Sequence, residues 1–341
     1  MPLRTRVLAT GALATALLAV AACGGQGPAG GGTAELTFAY EGPLGTGHEL
    51  AAEIFEDSLD EVSNGAFELQ MFPAAQLGGE PALLESVRSG DIDFVLSSTA
   101  NAAAIAPESG VLSLHYLFDG PDDVIATVGS PEVNEAYQAM AAERVQGARP
   151  LTLFTLDLRN MYGDSPVRSV QDLQGSAVRV QATATEDTIF SAYGAQPVHM
   201  AFPELYTALQ TGTVDAAENA VTYYGLNRHY EVAPVMSMTE HAGNVQVLWV
   251  SQRTWDGFTP EQQTAVTEAA MRVRDEQPRA AFELQQELQT EYRELGVQFV
   301  EDVDKESFRQ RSVPLQDQVA EGLGPHAVTI LDAVRSVTRN G

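Results

Sequence analysis

One cysteine, Cys23, and one lysine, Lys305, are all that the 341 residues contain of either type. A lone cysteine excludes any internal disulfide, so the fold must rest on packing alone. The six histidines are dispersed. None sits at His-x-x-x-His spacing, and no metal site is expected. There is no Gly-x-Ser-x-Gly elbow and no Walker loop, and Gly45-Thr46-Gly47 lacks the third glycine of a dinucleotide fingerprint, so no cofactor is expected either. Carboxylates are too numerous to single out an acid–base pair, and no catalytic residue is assigned. Basic residues are scarce: 19 against 46 acidic, for a formal charge of -27. Phosphate recognition needs a basic face, so a nucleic-acid partner is excluded. Because almost every cation is an arginine, an arginine is informative only through its setting.

What is present begins with an export signature. Arg4 and Arg6 precede an uncharged apolar run over residues 7–22 that ends in the lipobox Val20-Ala21-Ala22-Cys23. The run is short for a membrane span, and the small residues before Cys23 suit a signal peptidase. A lipoprotein signal peptide is expected over 1–22, with lipid attached at Cys23. Residues 24–32 are Gly-rich and uncharged, so 23–33 reads as a flexible tether. The body is then exported and held by its N-terminal lipid on the outer face of the cytoplasmic membrane. About three hundred residues remain, enough for two lobes with a core each.

The body opens as strand, loop, helix: Glu35 to Tyr40 alternates, Gly42 to Gly47 turns, and apolar residues from His48 to Val62 recur at helical spacing. Phe67, Leu69 and Met71 alternate, a helix is expected over Pro81 to Ser89, and Asp91 to Ser97 returns as a strand. This βαβαβ order predicts a partly parallel sheet with helices on its faces, an α/β fold. A strand over Leu151 to Leu156 leads to Arg159 and a turn at Asn160 to Gly163. Val245 to Val250 is a buried strand returning to the first lobe. Thr259-Pro260-Glu261-Gln262 combines an N-cap, a proline at the first helical position and a capping-box glutamine, starting a helix to about Leu295 that kinks at Pro278.

Three stretches carry a resemblance. Phe72-Pro73, Gln76-Leu77-Gly78-Gly79-Glu80 and Val87-Arg88-Ser89-Gly90-Asp91-Ile92-Asp93 come first. Val178-Arg179-Val180 and Tyr193-Gly194-Ala195-Gln196-Pro197 follow. The last is Glu204-Leu205-Tyr206-Thr207-Ala208-Leu209-Gln210-Thr211-Gly212 with Val214-Asp215-Ala216-Ala217-Glu218-Asn219. Together they resemble the extracytoplasmic solute receptors of tripartite ATP-independent periplasmic (TRAP) transporters, over nearly the whole exported chain. The resemblance implies a two-lobed periplasmic-binding-protein-like fold, with an interlobe cleft and a long C-terminal helix spanning both lobes. It places 34–156 plus about 245–284 in the first lobe, and 157–244 plus about 285–341 in the second.

Arg179 stands in an apolar strand, where an unpartnered guanidinium would be costly. Its partner is either a carboxylate of the protein or an incoming anion. The resemblance implies the second, a ligand carboxylate gripped through two parallel N–H bonds. Asn219 matches the Asn of the family's Asp-Gly-x-Glu-Asn motif, where Ala216 replaces the glycine, and is also a candidate helix N-cap. Glu218 is either a hydroxyl acceptor or a brace for Arg179, the brace being preferred. Arg159 corresponds to a second substrate arginine, or is a surface residue. Phe202 packs on ligand or in the core. From the first lobe Tyr40, His48, Glu80, Ser97 and Ser98 fall at strand ends or loops facing the cleft, or serve structure alone. Tyr223, with Tyr224, resembles the receptors for sugar acids.

The resulting expectation is a monomeric binding protein without catalysis. It captures a hydroxylated sugar-acid carboxylate and delivers it to integral-membrane TRAP subunits for uptake driven by an ion gradient. A C4-dicarboxylate or other organic acid remains open, as do a solute sensor for a signalling receptor and, distantly, an exported hydrolase.

Overall fold

The computed structural model describes residues 33–338. The expected signal peptide, the lipidation site Cys23 and all of the tether except Thr33 lie outside them. Nine strands among the described residues form one mixed sheet: β1 Ala34–Ala39, β2 Phe67–Phe72, β3 Phe94–Ser98, β4 Ala148–Gly163, β5 Ala177–Val180, β6 Gln196–His199, β7 Ala216–Asn219, β8 Val235–Ser251 and β9 Gln298–Val300. Their order is β2-β1-β3-β8-β4-β7-β5-β6, with β9 beside β8. β1 runs parallel to both β2 and β3, as the βαβαβ reading requires, and β5 runs parallel to both β6 and β7.

Two long antiparallel strands hold these groups together. Residues 148–155 of β4 pair with 245–251 of β8 beside the first group, and 158–163 pair with 235–243 beside the second. The register shifts between Thr155 and Leu158 and again between Arg159 and Met161. Such bulges bend the strands and re-aim side chains where one group gives way to the other. The turn expected at Asn160 to Gly163 does not form. Those residues continue β4, paired with β7 on one side and β8 on the other. Two ready ladder partners outweigh the local turn preference of Asn160 and Gly163.

Side-chain alternation distributes the core to both sheet faces. On β1, Phe38 joins Phe55, Phe94 and Phe154, while its neighbour Ala39 joins Leu83, Val95 and Trp249. The helix Pro260–Glu294 has 35 residues and so runs about 50 Å. Its capping box is present in both directions between Thr259 and Gln262, and the helix passes through Pro278. It packs on the helix Gly47–Ser63 and on β4. Near its far end Tyr292 meets the helix Val221–Leu226 so closely that a Cβ on Gly225 would fall 1.9 Å from the ring. Only glycine admits that approach, which joins the long helix to the second strand group. The closing helix Pro325–Thr338 packs on Pro131–Arg144 and Pro121–Gly129. This helix lies in the segment expected in the second lobe, and the two helices it packs on lie in the segment expected in the first. Among the described residues no helix is long and apolar enough to cross a membrane.

Candidate functional site

β5 and β7 end beside the middle of β4, and polar residues from all three converge on a small cavity. Arg159, Arg179, Phe202, Asn219 and Tyr223 reach it from one side, Glu80 and Ser98 from the other.

The two arginines differ in their partners. Arg159, expected as a possible surface residue, is only 4% exposed. Its Nε and a terminal nitrogen grip the two oxygens of Glu218, and the same nitrogen also donates to the Glu218 carbonyl at 3.1 Å. Burial would raise the Glu218 carboxyl, but Arg159 overrides it and holds the acid down to about 2. Burial likewise opposes the Arg159 charge, and Glu218 more than restores it. Glu218 therefore braces Arg159, not Arg179 as expected, because Met161↔Glu218 is the register of β4 against β7. It sits behind Arg159 rather than on the cavity wall.

Arg179 has no such counterion. It is 3% exposed, and among the described residues its guanidinium hydrogen-bonds only the Met200 carbonyl, at 3.0 and 3.2 Å. The Phe202 ring lies 5.7 Å from its guanidinium carbon. Burial, offset only in part by the fields of Glu218 and Glu41, lowers its pKa below the ordinary arginine value. A guanidinium has five N–H donors, so a buried one bonded to a single carbonyl has donors to spare. An anion entering the cavity would supply the missing charge.

Asn219 lies within β7 rather than past its end, and Ala220, not Asn219, caps the following helix. Its Oδ1 accepts the Ala220 N–H at 2.8 Å and the Asn244 amide at 3.3 Å. With both acceptor positions taken, the Asn219 amide can offer only N–H donors to the cavity. The chain extends backwards: Gln246 donates to Asn244 at 2.8 Å, and Gln246 Oε1 lies 2.9 Å from His48 Nε2. His48 Nδ1 meets the Tyr223 hydroxyl at 2.7 Å. Burial holds His48 below its ordinary pKa, so its ring is neutral, donating from Nε2 and accepting at Nδ1. His48 is thus a brace for Tyr223 and Gln246, one step removed from the cavity.

Across the cavity Glu80 Oε2 accepts three donors at 2.7 Å, from Ser98 N–H, Ser98 Oγ and Asn101 Nδ2. Gln181 reaches over to donate to Ser98 Oγ at 2.9 Å. Ser97 faces away and accepts from the Trp249 indole at 2.9 Å. Tyr40 packs edge-on against His48 at 5.9 Å and does not reach the cavity wall; burial raises its hydroxyl to about 12. Glu41, Asn101, Gln181 and Asn244 do line the cavity but were not singled out from the sequence. Glu41 had a signal: it adjoins Tyr40 at the end of β1. The others had none, since their neighbours come together only through the β3–β8–β4 pairings.

Comparisons with known proteins agree with this geometry. Residues 38–322 match the family described as bacterial extracellular solute-binding protein, family 7. The 2,3-diketo-L-gulonate-binding periplasmic protein of Escherichia coli K12 is 28% identical over 274 residues, covering 80% of this chain and 83% of its own. A TRAP periplasmic solute-binding protein from Polaromonas, solved with D-erythronate, superposes with a TM-score of 0.82 at 26% identity, covering 89% of this chain and 99% of its own. One from Chromohalobacter salexigens, solved with D-glucuronate, gives 0.79 at 29% identity, covering 87% and 99%.

Proposed function

The chain belongs to the bacterial extracellular solute-binding proteins of family 7, the TRAP solute receptors, and from that premise we propose that it captures a hydroxylated sugar acid between its lobes. The observation that carries the reading is Arg179, a buried guanidinium without a counterion on the cavity wall. The ligand carboxylate takes two parallel N–H bonds from Arg179, and the Asn219 amide donates beside it. Arg159, already neutralised by Glu218, offers its remaining donor to a neutral or partly charged oxygen. The Glu80 carboxylate, held in place by Ser98 and Asn101, accepts hydrogen bonds from hydroxyls further along the ligand. A dense set of neutral donors and acceptors suits a polyhydroxylated acid better than a plain dicarboxylate, which would need a second free cation. Relatives named or solved with diketogulonate, erythronate and glucuronate support that choice.

The lobes, taken as 34–156 plus about 245–284 and 157–244 plus about 285–341, close when one ligand contacts both. The closed receptor then delivers its cargo to integral-membrane TRAP subunits. D-glucuronate, D-galacturonate, D-galactonate and D-erythronate test the reading in a thermal-shift series. An acid at a hundred times its dissociation constant adds about 2.7 kcal/mol, which in a protein of this size raises Tm by roughly 3 to 5 °C. No shift from any of the four, nor from succinate, would remove the anion-capture reading. A shift from succinate alone would move it to C4-dicarboxylates.

The sequence Val20-Ala21-Ala22-Cys23 supports lipid anchoring of the receptor through Cys23. A Cys23→Ser variant is expected to leave the membrane fraction after signal removal while keeping its ligand affinity. Continued membrane association of the cleaved variant would contradict the anchor.

A further inference from the structure

Glu41 has no place in the capture scheme so far, yet its carboxyl group lies in the cavity wall and is only 7% exposed. It stands two residues past the end of β1, beside Gly79. A Cβ on Gly79 would come within 2.9 Å of Glu41 Oε2 and 3.7 Å of Pro203. Oε2 accepts the Glu80 N–H at 3.0 Å. Oε1 has no hydrogen-bond partner among the described residues. Among the described residues no cation forms an ion pair with Glu41: Arg159 is committed to Glu218 and Arg179 is bonded to Met200.

The charged and titratable groups facing Glu41 come from every element packed around it. The helix Glu80–Ser89 contributes the Glu80 carboxylate, β5 contributes Arg179, and Tyr223 comes from the helix Val221–Leu226. His48 and Tyr40 stand behind Tyr223, both neutral. Glu80 already receives three donors on Oε2, so it is the better satisfied of the two adjacent acids. Burial, then Glu80, raises the Glu41 carboxyl to about 8 against the pull of Arg179. A ligand carboxylate placed on Arg179 adds another negative charge and cancels that pull. An ionised Glu41 would then be a buried anion beside two others, which low-dielectric surroundings do not tolerate.

We propose that Glu41 is a ligand-binding residue that acts as a neutral carboxylic acid, donating from Oε1 to an oxygen of the captured acid, so that capture takes up one proton from solvent. This rests on the anion-capture reading above and adds to it a selection rule. The site favours acids that present an acceptor oxygen, a hydroxyl or keto oxygen, toward Glu41, and it binds a proton together with the anion. The sign of the linkage follows. A group whose pKa is raised by binding gains a proton on capture, so affinity is greatest at low pH. It is flat below the free-state value of about 8 and falls as pH climbs above it.

Calorimetry of the full exported protein with D-glucuronate, D-galacturonate and D-galactonate at pH 8.5, in bicine and in Tris, reads this directly, because the free Glu41 is then mostly ionised and the two buffers differ in ionisation enthalpy. The wild type is expected to take up about 0.5 to 0.8 proton per ligand at that pH, and to lose affinity by up to tenfold per pH unit only above about 8. Glu41→Gln, whose amide imitates the neutral acid, is expected to bind with no proton uptake and with affinity that no longer falls over that range. Binding without proton uptake by the wild type, or uptake that persists in Glu41→Gln, overturns the role of Glu41 and leaves anion capture standing. No binding of any of these acids by the wild type overturns both.

Discussion

Arg179→Lys is expected to weaken D-glucuronate binding by about 2 to 4 kcal/mol, roughly thirty- to a thousandfold, while the protein stays folded. Lysine keeps the charge but loses the planar fork, and its ammonium cannot bridge two carboxylate oxygens and the Met200 carbonyl at once. The fold has little reason to suffer, because among the described residues Arg179 closes no ion pair: its bonds go to one carbonyl, and its contact is the Phe202 ring. Calorimetry for affinity and a melting curve for stability separate the two effects. Loss of fold with normal affinity in the remaining folded protein would make Arg179 a structural residue and remove the anchor from the site.

The contrast with Arg159 rests on strand register, which the sequence shows only in part. Both arginines stand in apolar strands and both are buried, yet one is neutralised and the other is not. What decides it is that Met161 faces Glu218 across β4 and β7 while Arg179 faces Ala217. The hydrophobic pattern reveals that each segment is a strand. It does not reveal which strand is the neighbour, so Glu218 was assigned to the wrong arginine. The same limit explains the turn expected at Asn160 to Gly163, where two unseen partner strands keep the chain extended. It also explains Asn244, Gln246 and His48, whose hydrogen-bonded line to Asn219 spans about two hundred residues of sequence and exists only because β8 crosses between both strand groups.

Local signals fared better. The Thr259 to Gln262 capping box, the parallel order at the start of the sheet and the burial of Arg179 all follow from spacing and chemistry within a few residues. Of the first-lobe residues, Glu80 and Ser98 line the cavity, whereas Ser97, Tyr40 and His48 stand behind it. Alternation along β3 accounts for the adjacent serines, since neighbouring residues on a strand point to opposite faces. Sequence alone could not say which face would meet the ligand.

The comparison of D-glucuronate with D-glucuronamide tests the central claim most directly. The two molecules share every hydroxyl and differ only in whether the terminal group is an anion. If an unneutralised Arg179 is the anchor, the amide forfeits the charge, and its NH₂ cannot accept the second N–H bond. The expected loss is at least about 3 kcal/mol, more than a hundredfold in dissociation constant. Both ligands should bind the Arg179→Lys variant with a much smaller difference. Equal affinity of acid and amide for the wild-type protein would show that the cavity recognises the hydroxyls alone and that Arg179 does not anchor a carboxylate.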